Sequence, residues 1–167
     1  MTKLVNVLLL SVILAVDGCT SLIPANSVQD SPILNSGTVI NDIKLSDEFT
    51  IIYFTYYNNN KPVYNNYGRI ISEGMTPIGF YKYAELIALQ GTRHFKFVKA
   101  EGIPVTKKMT DLAFYGKKTY PGDRVSFIAY FERLDKGIEY FDLYECKESS
   151  DNSCWNVQNL HIENPAF

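Results

Sequence analysis

Arg124-Val125-Ser126-Phe127-Ile128-Ala129-Tyr130-Phe131-Glu132-Arg133-Leu134 follows the turn signal Pro121-Gly122-Asp123 and runs into Asp135-Lys136-Gly137. Alternation places Val125, Phe127, Ala129 and Phe131 on one side, the period-two signature of a strand with one buried face. The second turn leads into Ile138 to Cys146, where Phe141 and Leu143 are the expected core residues, and the two runs are expected to pair as a hairpin.

The same grammar continues on both sides. Phe49 to Tyr57 is dense in β-branched and aromatic residues and ends in the turn-forming Asn58-Asn59-Asn60-Lys61-Pro62. Arg93 to Lys99 alternates, with Phe95 and Phe97 on one face and His94, Lys96 and Val98 on the other. Weaker strands are expected over Val39 to Leu45, Tyr67 to Ser72, Leu112 to Tyr115 and Trp155 to Ile162. Phe80 to Gln90 fits a helical stripe capped by Gly91 or a strand turning at Gly91-Thr92, and the strand is favoured. About eight short strands without alternating long helices predict an all-β fold, an antiparallel immunoglobulin-like β-sandwich. No internal repeat is evident.

The N-terminus has a different character. Lys3 supplies a positive start, Leu4 to Val16 is a 13-residue apolar run interrupted by Asn6 and Ser11, and Val16-Asp17-Gly18-Cys19 places a small residue before a cysteine. A membrane-spanning helix needs about 20 apolar residues, so this run fits a cleavable signal better. Residues 1–18 resemble a bacterial lipoprotein signal peptide, in which the cysteine thiol, here Cys19, is lipidated and becomes the first mature residue. Asp17 departs from the usual residue of that family. Residues 19–37, rich in Ser, Pro and Asn, read as a flexible tether, and 38–167 as one domain. The mature 149 residues suffice for a real core. Thr20-Ser21-Leu22-Ile23-Pro24 lacks the acidic cluster of a surface-export signal, which favours the periplasmic side of the outer membrane over the cell surface.

A net charge of −2 gives no global reason to bind nucleic acid. Lys107, Lys108, Lys117 and Lys118 read as solvated loop residues. With Cys19 assigned to lipid, Cys146 and Cys154 remain. Their spacing is wrong for a redox motif, and neither histidine lies at zinc-ligand spacing from them. A structural disulfide in an oxidising compartment is the expectation, worth about 2.6 kcal/mol by loop closure.

Asp42-Ile43-Lys44-Leu45-Ser46-Asp47-Glu48-Phe49-Thr50, Ala100-Glu101-Gly102-Ile103-Pro104, Phe127 to Leu134, Phe141-Asp142-Leu143-Tyr144-Glu145 and Trp155 to Ile162 resemble, in that order, an uncharacterised β-sandwich module of exported Bacteroidetes proteins. The module often stands beside a thioredoxin-like domain. The resemblance covers roughly residues 39–162 and implies an accessory role, with no catalytic residues to carry over. Here no Cys-x-x-Cys is present, and Cys146 stands where relatives tend to have glycine.

No catalytic residue, metal site or cofactor is expected. His94 and His161 lie in strands without a nucleophile pattern. Glu145, Glu148 and Asp151 lack the spacing of a calcium loop, and Asp142 with Glu145, or Glu132 with Asp135, form weak candidates for a glycosidase pair. Trp155 is expected to pack on the disulfide. Tyr53, Tyr56, Tyr57, Tyr64 and Tyr67 flank the Asn-rich turn, and Tyr56, Tyr57, Asn59, Tyr64 and Tyr67 make the candidate recognition surface for a protein or a glycan. The leading expectation is a lipid-anchored envelope module that binds a protein partner without catalysis, with a carbohydrate-binding lipoprotein of a glycan-uptake system as the alternative.

Overall fold

The computed structural model describes residues 37–146 and 154–166. The signal segment, Cys19, the tether as far as residue 36, Glu148 and Asp151 lie outside the described residues.

The fold is all-β and antiparallel in its main sheet. In chain order the strands are β1 (Thr38–Leu45), β2 (Phe49–Tyr57), β3 (Val63–Tyr64), β4 (Ile70–Ser72), β5 (Thr76–Ile78), β6 (Phe80–Tyr81), β7 (Glu85–Ala88), β8 (Arg93–Glu101) and β9 (Val105–Thr106). A 3-10 turn, Met109–Asp111, and a single helical turn, α1 (Leu112–Tyr115), precede β10 (Lys117–Thr119), β11 (Arg124–Glu132), β12 (Tyr140–Tyr144) and β13 (Val157–His161). Seven strands make one sheet in the order β1-β2-β11-β8-β7-β12-β13, and β5 with β10, β3 with β4 and β6 with β9 form small ribbons.

The sheet curls through β8. The N-terminal half of β8 pairs with β7, from Arg93 opposite Ala88 to Lys96 opposite Glu85. Its C-terminal half pairs with β11, from Phe97 opposite Phe131 to Glu101 opposite Ile128, with Val98 as an extra residue at the change of partner. At this corner the Glu132 carboxylate accepts from Lys96 N at 2.8 Å, and Phe97 N donates to Ala84 O at 3.1 Å. A bulge of this kind bends the strand while side-chain oxygen replaces a missing ladder bond.

Curling brings opposite ends of the sheet onto one aromatic core. Phe127 of β11 stacks on Phe54 of β2 at 4.8 Å between ring centroids, and Trp155, just ahead of β13, stacks on Phe127 at 5.0 Å and reaches Phe54 at 6.3 Å. Phe80 touches Phe54, Phe127, Phe131 and Trp155 from within. Burying each such side chain contributes about 1.5–3 kcal/mol. The inward residues follow the alternation of the sequence: Val125, Phe127, Ala129 and Phe131 are buried, as are Phe141 and Leu143.

Two expectations fail. Arg124–Leu134 and Ile138–Cys146 do not pair, because β11 spends one edge on β2 along its whole length and the other on β8. Asp135-Lys136-Gly137 does turn the chain, with Ile138 N donating to Asp135 O. Buried Asn164 then holds the carbonyls of Asp135 and Ile138 at 2.7 and 3.0 Å, and the chain continues to the far half of the sheet, where β12 pairs with β7 and β13. Leu112–Tyr115 is a helical turn rather than a strand. Asp111 accepts from Lys108 N, and Gly116 N donates to Leu112 O, so local bonds satisfy the backbone. Phe80 to Gln90 holds strands β6 and β7, as favoured from the sequence.

Candidate functional site

The residues around the Asn-rich turn divide by strand parity. Ile52, Phe54 and Tyr56 share the inward face of β2, so Tyr56 is buried at 5 % exposure and belongs to the core rather than to a recognition surface. Tyr57, one residue on, faces out and takes the Arg124 guanidinium over its ring at 5.5 Å. Asn59 is exposed at the turn, and Tyr64 and Tyr67 are exposed beyond it.

Asn58, which the sequence marks only as a turn residue, organises this end of the domain. It is buried, and its Nδ2 lies within hydrogen-bond reach of Gly74 O, Thr119 O and Thr119 Oγ1 at 3.1 to 3.2 Å, while its Oδ1 accepts from Asn60 N. The base of the β3–β4 hairpin is thereby tied to β10. The hairpin closes at Asn65, whose Oδ1 accepts from Tyr67 N and Arg69 N, with Gly68 at φ +72° completing the turn.

That hairpin exposes apolar side chains throughout. Val63, Tyr64, Tyr67, Ile70 and Ile71 are all solvent-facing, Tyr67 at 90 % exposure. Among the described residues, β3 and β4 pair only with each other. An isolated two-stranded ribbon is marginal in water, and clustered exposed apolar side chains mark an interaction surface.

A second feature lies at the opposite half of the sheet. An open groove of about 720 Å³ is lined by Gln90, Glu139, Tyr140, Asp142, Tyr144 and Asn159, among others. The three non-glycine residues with positive φ among the described residues, Leu89 (50°), Gln90 (55°) and Asn159 (58°), all line it. Asp142 Oδ1 accepts from Asn159 N at 2.7 Å, fixing the bulge in β13 that turns Asn159 outward. The His161 ring lies 4.7 Å from Tyr140, and Gln158 Nε2 donates to the Tyr144 hydroxyl at 3.4 Å.

Cys146 and Cys154 form the expected disulfide, with Cα atoms 5.9 Å apart. Glu145 beside it is 2 % exposed, and its two oxygens accept from Tyr81 N at 3.0 Å and Trp155 N at 2.7 Å. Burial pushes its carboxyl up to about 7, against the pull of these two amides toward the ionised form. The Trp155 ring packs among Phe54, Phe80 and Phe127, in the aromatic core.

The other polar candidates have structural partners. Glu132 bonds Lys96 N, Asp135 pairs with Arg93, and Asp142 and Glu145 hold the amides named above. His94 places Nδ1 3.0 Å from Glu85 Oε2 and Nε2 3.0 Å from Gly91 O. Among the described residues no group of three or more His, Cys, Asp or Glu side chains is arranged to hold a metal ion, and no helix is long and apolar enough to cross a membrane. In comparisons with known proteins, no family model matches the chain, and no curated protein or solved structure does.

Proposed function

We propose that the chain is a lipid-anchored cell-envelope module without catalytic activity, tethered through Cys19 on the periplasmic side of the outer membrane, that holds a protein partner through the β3–β4 hairpin. The curled sheet serves as its sandwich-like scaffold. The observation that carries the reading is the hairpin itself, a ribbon with Tyr64, Tyr67, Ile70 and Ile71 exposed and no third strand among the described residues. Strand addition or packing of a partner against such a ribbon buries apolar surface and satisfies its free edges. The resemblance to exported accessory modules supports the same role.

The test is chemical crosslinking in intact cells followed by purification from solubilised membranes. One stoichiometric protein partner is expected, lost in a chain carrying Tyr67→Ser and Ile71→Ser and retained in Tyr140→Ala. A partner indifferent to the hairpin changes overturns the assignment of the surface. Palmitate labelling that survives Cys19→Ala overturns the anchor.

The groove favours a second reading, a carbohydrate-binding lipoprotein. Tyr140 offers an exposed ring face, and Gln90 and Asn159 offer planar amides, the groups that stack on and hydrogen-bond to a sugar. Glycan-array binding lost with Tyr140→Ala and kept with Tyr67→Ser supports this reading; an array without signal rejects it.

A further inference from the structure

We propose that the end of the domain bearing Phe114, Tyr115 and the surrounding lysines rests on an anionic lipid surface. The inference goes beyond the proposed binding function; its orientation, though not its chemistry, rests on the reading of Cys19 as a lipid anchor.

Charge is segregated in this chain. Residues 57–83 and 105–124 carry eight Lys and Arg against three Asp and Glu, whereas the whole chain is net −2, so the remainder is net acidic. The fold gathers these two segments. Lys82 N donates to Thr106 O, β10 pairs with β5, and Asn58 joins the hairpin base to Thr119. Lys82, Lys107, Lys108, Lys117 and Lys118 are all exposed, and none forms an ion pair among the described residues. Asp111, the one carboxylate between the lysine pairs, is engaged with Lys108 N.

Amid the lysines, α1 exposes two aromatic rings. Phe114 is 82 % and Tyr115 73 % exposed, with ring centroids 6.4 Å apart. The turn that presents them is seated firmly. A Cβ at Gly79 would fall 2.6 Å from Leu112 Cδ2, and one at Gly116 3.0 Å from Pro77 Cβ, so glycine permits α1 to lie against β5. Aromatic rings flanked by cations are the side chains that settle at a headgroup interface, and each lysine near an anionic surface adds attraction that falls off within a Debye length.

The path of the chain points the same way. Gly37 O accepts from Tyr57 N at 3.0 Å, and Tyr57 precedes the Asn58 that binds Gly74 and Thr119. The preceding segment therefore joins the domain at the basic, aromatic end. Residues 19–36 number 18, and a chain of 18 residues reaches at most about 65 Å. A lipid on Cys19 would bring this end to the bilayer first. A protein partner held by the adjacent hairpin would then lie at the membrane as well.

The test uses the full chain purified from membranes, with Phe114→Trp, in vesicles of brominated phosphatidylcholine with and without phosphatidylglycerol. Buried Trp155 supplies the background in the unaltered chain. Quenching of the new tryptophan at least about twofold stronger with phosphatidylglycerol is expected, relieved at about 1 M salt, where the Debye length is about 3 Å. Lys107→Glu, Lys108→Glu, Lys117→Glu and Lys118→Glu together should abolish it without unfolding the domain. A vesicle-bound chain whose Trp at 114 stays unquenched in both lipids overturns the proposal, whether these lysines meet an acidic protein or water alone. Intact mass of the same preparation separates the two readings. Quenching in an unacylated chain removes the anchor and keeps the surface, and its absence in an acylated chain does the reverse.

Discussion

β2 and the β3–β4 hairpin are neighbours in sequence, both rich in tyrosine and β-branched residues, and they meet opposite fates. β2 pairs with β1 on one edge and β11 on the other and buries Ile52, Phe54 and Tyr56. The hairpin has one partner per strand and buries none of its side chains. Strand propensity in both is the same preference for a pleated surface; what differs is whether a second layer covers it. Side chains of the same kind that stabilise one region stay exposed in the other.

The sharpest break of that contrast is a truncation in each region. Phe127→Ala, beneath Phe54 and Trp155, should cost about 3–5 kcal/mol in urea unfolding, whereas Tyr67→Ala should change stability by less than about 0.5 kcal/mol. Similar losses at both positions would mean that the hairpin is covered within the molecule.

The next effect concerns pH. Glu145 holds its proton up to about pH 7 in the fold but ionises near its ordinary 4.5 when unfolded. Between those values the folded state binds the extra proton, so stability should fall as pH rises from 4.5 to about 7 and level off above. The decline amounts to about 3 kcal/mol, and Glu145→Gln should flatten it. A parent profile that is already flat through this window would contradict the buried, protonated carboxyl.

Smaller again is the disulfide. Cys146→Ser with Cys154→Ser should lower stability by about 2.6 kcal/mol, read as a lower denaturant midpoint. The proposed binding through the hairpin should survive that loss, since the hairpin lies on other strands. Partner binding that fails with the disulfide would join regions here described as separate.

Much of the core was legible in the sequence. Alternation located Val125, Phe127, Ala129 and Phe131, and counting cysteines identified the bridge. Pairing was less accessible, because period two tells which face is buried but not which strand lies alongside. The Asp135-Lys136-Gly137 turn looks the same whether it closes a hairpin or, with Asn164 behind it, carries the chain across the sheet. Tyr56 shows the limit at single-residue scale: composition groups it with its tyrosine neighbours, although counting by twos from Ile52 assigns it to the interior. The groove was hidden altogether, since Gln90, Tyr140 and Asn159 come from three separate segments and no local motif connects them. Asn58 was hidden too, because an asparagine serving as a buried hub reads the same as one in an open turn.

Trp155 has one more consequence. The only tryptophan of the chain lies next to Cys154, donates its backbone amide to Glu145, and stacks on rings from β2 and β11. The indole therefore stands where the closure of the sheet is made. The domain carries a built-in optical gauge, whose emission colour registers whether the two ends of the sheet still meet.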